Sequence, residues 1–244
     1  MDQKAVAIGN GMSLLMDELD ARLSTRTPFT HVRFGNGELN NMVGKHGSKL
    51  QPRSDALRDE LIEAFQIVHH NYLIGCTAGF TIFPDLEPSL REIRDQFFCG
   101  QAFYLPDALL RLAVRKPERL AESIRENIRP RRVGLIANET IFGSNTVINV
   151  FDVNRSIVAP PTDAYACLTE GWMRTVGSLA NNVDIILCAL GPTANVIAKR
   201  LWQDKADVTF LDVGSLLDGI AGTRLRAWTK KFPDMGAKIE ELVV

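Results

Sequence analysis

The sequence predicts an α/β fold: a Rossmann-like, mostly parallel sheet with helices on both faces and a helical insertion in the middle. Three observations carry that expectation. From Arg132 onward apolar runs alternate with amphipathic segments: strand 133–137, helix 144–151, strand 156–158, helix 164–179, strand 183–189, helix 192–202 and strand 208–211. Nearly continuous apolar strands such as Val183 to Ala189 suit a parallel sheet covered on both faces. Polar and glycine residues collect where these strands turn into helices, the place at which open α/β sheets bind ligands. At 244 residues, 45% hydrophobic and 23% charged, the chain has the balance of one globular core. A single α/β domain is expected over 1–244, with 77–129 a variable helical region.

Taken in order, Met12, Leu15, Met16, Leu19 and Leu23 keep helical spacing, and Pro28 closes that helix ahead of strand 30–34. A glycine turn then leads into a short helix, 38–42. Leu57, Leu61, Ala64, Phe65 and Val68 make one face of a helix over 54–69, and Tyr72 to Gly75 reads as a short buried strand. Between 77 and 129, Gly79, Pro84, Pro88 and Pro106 punctuate two helical patterns, 86–97 and 109–127, the second broken at Pro117. This stretch is read as a region suited to cover a site. In the alternating half, Pro192 fits the first helical position, where its missing N–H is not needed.

Composition narrows the function. A formal net charge of −1 argues against a nucleic-acid partner that is held by a basic field. Arg125, Arg129, Arg131 and Arg132 cluster before a strand and read as a solvated helix end facing the negative pole of the macrodipole. Cys76, Cys99, Cys167 and Cys188 contain no CxxC pair, so neither zinc nor a disulfide framework is indicated. His31, His46, His69 and His70 show no metal spacing. The opening residues lack the build of a signal peptide, and no apolar run approaches the roughly 18 residues of a membrane span. No transmembrane segment and a cytoplasmic location are expected, and a homo-oligomer is compatible with the chain.

The chemistry concentrates in Val32 to Glu38. Gly35 and Gly37 permit close approach of a ligand to the backbone, Arg33 can fork onto a phosphate, and Glu38 is a hard-oxygen ligand type for Mg²⁺ or Mn²⁺. A plain turn with a solvated Arg33–Glu38 pair explains the same residues. Gly191, Pro192 and Thr193 turn a buried strand into a helix whose free N–H groups suit an anion, or simply cap it. Asp212 stands at a strand exit, able to hold a metal or a ribose hydroxyl, to accept a proton, or to cap a helix. Asp163 and Tyr165 follow Pro160-Pro161, with Tyr165 able to stack on a base or to be half-buried packing. Glu139 offers a carboxylate after strand 133–137, or belongs to a surface turn.

In this order, Arg33 to Glu38, Pro160 to Tyr165, Leu190 to Ala194 and Asp212 to Ser215 resemble the bacterial glycosyltransferases of the type D fold. That family reads roughly Arg-Phe/Tyr-Gly-Asp-Gly-Glu, Pro-Ser-x-Asn-Ala-Phe, Leu-Gly-Pro-Thr-Ala and Asp-Ile-Gly-His. The resemblance implies transfer of a sugar from a nucleoside diphosphate sugar to an acceptor hydroxyl in surface or secreted glycan synthesis. The acceptor class it implies is a glycan, glycopeptide or lipid-linked acceptor. It also implies Mn²⁺ or Mg²⁺ at Asn36 and Glu38, and a donor site formed by Arg33, Gly35, Gly37, Gly191, Pro192, Thr193, Asp163 and Tyr165. Glu38 assists at the diphosphate, Asp212 is the expected general base and Glu139 the second choice. Asn36 replaces the family's aspartate and Ser215 its histidine, so metal affinity is expected to be lower. The alternative is a non-catalytic nucleotide or phospho-sugar binding protein of the same fold. A phosphate-ester hydrolase lacks a recognisable nucleophile or dinuclear metal cluster.

Overall fold

The computed structural model describes residues 3–44, 51–76, 88–223 and 229–244. The first half runs α1 (Gln3–Thr25), β1 (Thr30–Phe34), α2 (Asn36–Met42), α3 (Asp55–Phe65), β2 (Tyr72–Cys76), α4 (Pro88–Phe97), β3 (Phe103–Tyr104), α5 (Ala108–Arg115) and α6 (Pro117–Ser123). The second runs β4 (Val133–Asn138), α7 (Glu139–Phe142), α8 (Asn145–Phe151), β5 (Val153–Ala159), α9 (Glu170–Ala180), β6 (Ile185–Ala189), α10 (Pro192–Gln203), β7 (Thr209–Asp212), α11 (Ser215–Ile220) and α12 (Met235–Val243). The strands form one seven-stranded sheet, β3-β2-β1-β7-β6-β4-β5, with every pairing parallel.

Alternate side chains along the strands point to opposite faces and bury two cores. Leu135, Leu187 and Leu211 meet α1, α5, α6, α8, α11 and α12 on one face. Val32, Ile74, Ile186 and Phe210 meet α2, α3, α9 and α10 on the other. The expected α/β class holds, and the central strands are buried almost throughout.

The differences from expectation are local. Residues 77–87 of the expected helical region lie outside the described residues. Its described remainder also supplies β3, an edge strand too short to leave a periodic signal. Pro117 does break the 109–127 pattern, and a π-turn over Ile124–Ile128 follows α6. The segment expected as one helix over 164–179 is a 3₁₀ turn, Ala164–Cys167, and then α9, because the Thr169 hydroxyl accepts from the Trp172 N–H and starts a new helix. The helix expected over 54–69 starts at its Ser54 cap and stops at Phe65. The edge strand β5 is longer than its apolar core suggested, since its middle is exposed and polar.

The strand order positions the site. From β1 the chain moves outward to β3, crosses to β4 in the other half, and returns inward through β6 to β7 beside β1. β1 leads into α2 on one face of the sheet and β7 into α11 on the other, so the connections leaving these neighbours diverge. The crevice between their carboxyl ends is the switch point at which open sheets take ligands.

Candidate active site

Arg33 and Asp212 meet at that switch point. Arg33 is the penultimate residue of β1 and Asp212 the last of β7, with Nε and Oδ1 3.4 Å apart. The Asp212 side chain is only 1% exposed, while the Arg33 side chain is 18% exposed. Burial pushes the Asp212 carboxyl above its ordinary value, against the pull of Arg33. Two further residues hold the arginine. Asn195 of α10, fully buried, donates from Nδ2 to the Arg33 carbonyl at 3.1 Å. Gly214, at φ +34°, leaves room for the guanidinium, since a Cβ there would overlap Arg33 Nη2.

Glu38 faces the same crevice from the first turn of α2. Its Oε2 accepts from the Gly35 N–H at 2.9 Å, and its Oε1 points toward the β6–α10 turn, 4.0 Å from where a Cβ on Gly191 would stand. Gly191 itself sits at φ +56°, a conformation that favours glycine. Part of the Glu38 residue remains open, yet its carboxylate is embedded deeply enough that burial raises its pKa. The nearby Asp212 charge adds to the rise, while Arg33 and the backbone donors oppose it. Two carboxyls thus share one cation in a poorly solvated crevice. An incoming positive charge would relieve the excess.

Asn36 is exposed at the first position of α2. Among the described residues no group of three His, Cys, Asp or Glu side chains could hold a metal. A divalent ion at Glu38 and Asn36 would therefore need phosphate oxygens from a ligand to complete its shell.

The remaining donor-site candidates form a second cluster that reaches the first through α10. Thr193 is fully buried and its hydroxyl donates to Gln51 Oε1 at 3.2 Å. The same oxygen accepts from the Tyr165 N–H at 3.2 Å, and Gln51 Nε2 donates to Asp163 Oδ1 at 2.9 Å. The Tyr165 hydroxyl donates to Glu60 of α3 at 2.9 Å, and burial with that contact pushes its pKa up to about 12. Burial alone would raise the Glu60 carboxyl, but hydrogen bonds from Arg200, Lys199 and Tyr165 hold it below its ordinary value. Arg33 and Asp212 are thus paired directly, and Glu38, held by the Gly35 N–H and facing Gly191, lies within electrostatic reach of both, with Asn36 and Gly37 beside Glu38 and Pro192 beginning α10. Asp163, Tyr165 and Thr193 are gathered around Gln51. Glu139 begins α7 at the end of β4 and is exposed, and no contact to either group is seen among the described residues.

Gln51 and Asn195 were missed because neither belongs to a motif. The one readable signal was a polar residue three positions after Pro192, on a helix whose neighbours are apolar. His31 is a buried, neutral neighbour of Arg33, its pKa lowered to about 3 by burial and then by the Arg33 charge.

No protein-family model and no curated protein matches the sequence. Solved structures share its fold. One is a new glycosyltransferase (DUF1792) from Streptococcus sanguinis, with TM-score 0.64 and 20% identity over 86% of this chain and 80% of that one. Another, domain of unknown function 1792, described as having a distinct glycosyltransferase fold, has TM-score 0.62 and 20% identity over 88% of this chain and 81% of that one. The structural likeness establishes the common architecture.

Proposed function

We propose that this protein is a glycosyltransferase that takes its sugar from a nucleoside diphosphate sugar. The observation that carries the proposal is the gathering of Arg33, Glu38 and Asp212 beside the glycine turn that opens α10, at the switch point of a fold shared with a glycosyltransferase. A diphosphate laid across that turn meets the partly exposed Arg33 side chain and the positive end of α10. When bound, Mn²⁺ or Mg²⁺ supplies further neutralisation of the diphosphate, with Glu38 and Asn36 as its protein ligands.

In the transfer, the acceptor oxygen bonds to the anomeric carbon, the bond from that carbon to the diphosphate oxygen breaks, and the nucleoside diphosphate leaves with the electron pair. Arg33 stabilises the charge on the leaving oxygens. The acceptor proton passes to a carboxylate. Asp212 was the expected base, but its burial under Arg33 suits it better to holding the arginine. Glu139, exposed at the start of α7, is the alternative carboxylate for the acceptor side. The acceptor is a glycan, glycopeptide or lipid-linked hydroxyl. Among the described residues no helix is long and apolar enough to cross a membrane.

The test is release of nucleoside diphosphate from a panel of nucleotide sugars with Mn²⁺ present. Slow donor hydrolysis lost in Arg33→Ala supports the transferase. Tight binding without turnover supports the second reading, a non-catalytic nucleotide or phospho-sugar binding protein, which Asn36 in place of a carboxylate favours. Neither binding nor turnover overturns both.

A further inference from the structure

On the premise that the cleft holds a nucleoside diphosphate as inferred above, we propose that Gln51 is a positioning residue that locks the Asp163–Tyr165 turn onto the first turn of α10 and so fixes the spacing of the two halves of the donor site. Gln51 lies just before α3, in no recognisable motif, yet its side chain is 3% exposed. A buried amide is costly unless it is hydrogen-bonded. This one joins three segments far apart in the chain: Asp163 through Nε2, and the Tyr165 N–H and Thr193 hydroxyl through Oε1. A carboxylate oxygen only accepts, so the contact with Asp163 sets which end of the amide is the NH₂.

The partners depend on Gln51 in turn. Asp163 sits at φ +50°, a left-handed conformation that a non-glycine residue holds only when its surroundings support it. Thr193 has no exposed surface through which water could replace its partner. Tyr165 is fixed at both ends, its N–H on Gln51 and its hydroxyl on Glu60, which Arg200 of α10 also grips. Thr193 lies two residues beyond Gly191, the glycine that faces Glu38. One amide therefore links the phosphate side of the cleft to the turn that carries the aromatic ring. Leucine at 51 satisfies none of these groups, and glutamate sets a second carboxylate against Asp163.

The test reverses the hydrogen bond. Gln51→Glu places two carboxylates face to face. Q51E combined with D163N restores the contact with donor and acceptor exchanged: the amide introduced at position 163 donates, the carboxylate introduced at position 51 accepts, and the second carboxylate oxygen still serves Tyr165 and Thr193. Two measurements are made on the full chain: amide hydrogen exchange of 163–167 and 191–194 without ligand, and KM and kcat for donor hydrolysis with UDP-glucose and GDP-mannose in Mn²⁺. We expect faster exchange at both segments in Q51E, wild-type exchange in the double variant and in D163N, and unchanged exchange in β4 and β6. KM should rise roughly tenfold or more in Q51E, the scale of a hydrogen bond to a charged group, with kcat changed less, and should recover in the double variant. Thr193→Val, which deletes only a hydroxyl, should loosen the same segments should Q51E fail to fold. Unchanged exchange in Q51E, or in T193V where Q51E does not fold, overturns the positioning role, as does a double variant no better than Q51E. If the wild type neither binds nor turns over either donor while the exchange pattern is as expected, the donor-site reading fails and the lock at Gln51 stands.

Discussion

Gly214→Ala should disable Arg33 with a modest loss of stability. Gly214 has φ +34° and ψ −117°, outside the regions that L-residues populate, so alanine there costs on the order of 1–3 kcal/mol in backbone strain. For a domain of this size each 1 kcal/mol lowers the melting midpoint by about 2–4 °C, which predicts a fall of several degrees. The new Cβ would also overlap Arg33 Nη2 and stand 3.2 Å from Asp212 Oδ1. The guanidinium is the far end of a flexible, partly open side chain, so it yields before the sheet does. Losing one charge-assisted contact to the diphosphate is worth about 1.5–3 kcal/mol, or roughly 10- to 100-fold in affinity. Calorimetric titration of nucleoside diphosphates with Mn²⁺, on wild type, G214A, R33A and the double variant, reads this directly. If Gly214 acts through Arg33, G214A weakens binding in the wild-type background and adds nothing in R33A. Independent, additive losses would show that Gly214 does not act through Arg33, as would wild-type affinity in G214A.

Two further variants probe the carboxyl side of the cleft. Glu38→Gln should cripple donor hydrolysis while leaving the protein at least as stable at neutral pH. Burial raises the folded pKa of Glu38, so the folded state binds the extra proton, and stability falls as pH rises from the ordinary carboxylate range through the folded value. The amide removes that fall, so the melting midpoint of E38Q should equal or exceed wild type at pH 7 and converge with it on acidification toward pH 4. A lower midpoint at pH 7 would mean that the Gly35 cap, and not the crevice, defines Glu38. Asn36→Asp adds a charge beside Glu38 on the exposed start of α2, and should tighten Mn²⁺ in the presence of a nucleoside diphosphate. Titration showing no gain in metal affinity would remove Asn36 from the metal site.

What could be read in the sequence follows from the range of the interactions involved. Alternation of apolar strands with amphipathic helices is a local signal, and it located the sheet that β4, β6 and β7 build. Arg33, Glu38, Gly191 and Asp212 were legible because strand ends, glycines and lone charges stand out against an apolar background. Their mutual roles were not. Asp212 looks like an available base in sequence, and only the pairing of β1 with β7 shows it buried under Arg33. Thr193 looks like a phosphate ligand, but the first turn of α10 directs its hydroxyl inward to Gln51. Gln51 has a role only through contacts with distant segments, which periodicity cannot reveal. The break between the 3₁₀ turn and α9 was in principle readable, since Thr169 followed by Glu170 is a helix-start signature.

In the proposed function a nucleoside diphosphate binds at the crevice of β1 and β7 through Arg33. The most direct test is the thermal midpoint of wild type and Arg33→Ala with saturating UDP or GDP and Mn²⁺, since a ligand that binds only the folded state raises apparent stability. A clear upward shift is expected for at least one nucleotide in the wild type, and a shift at least halved in R33A at the same ligand concentration. Equal shifts in the two proteins, or none in the wild type, would contradict it.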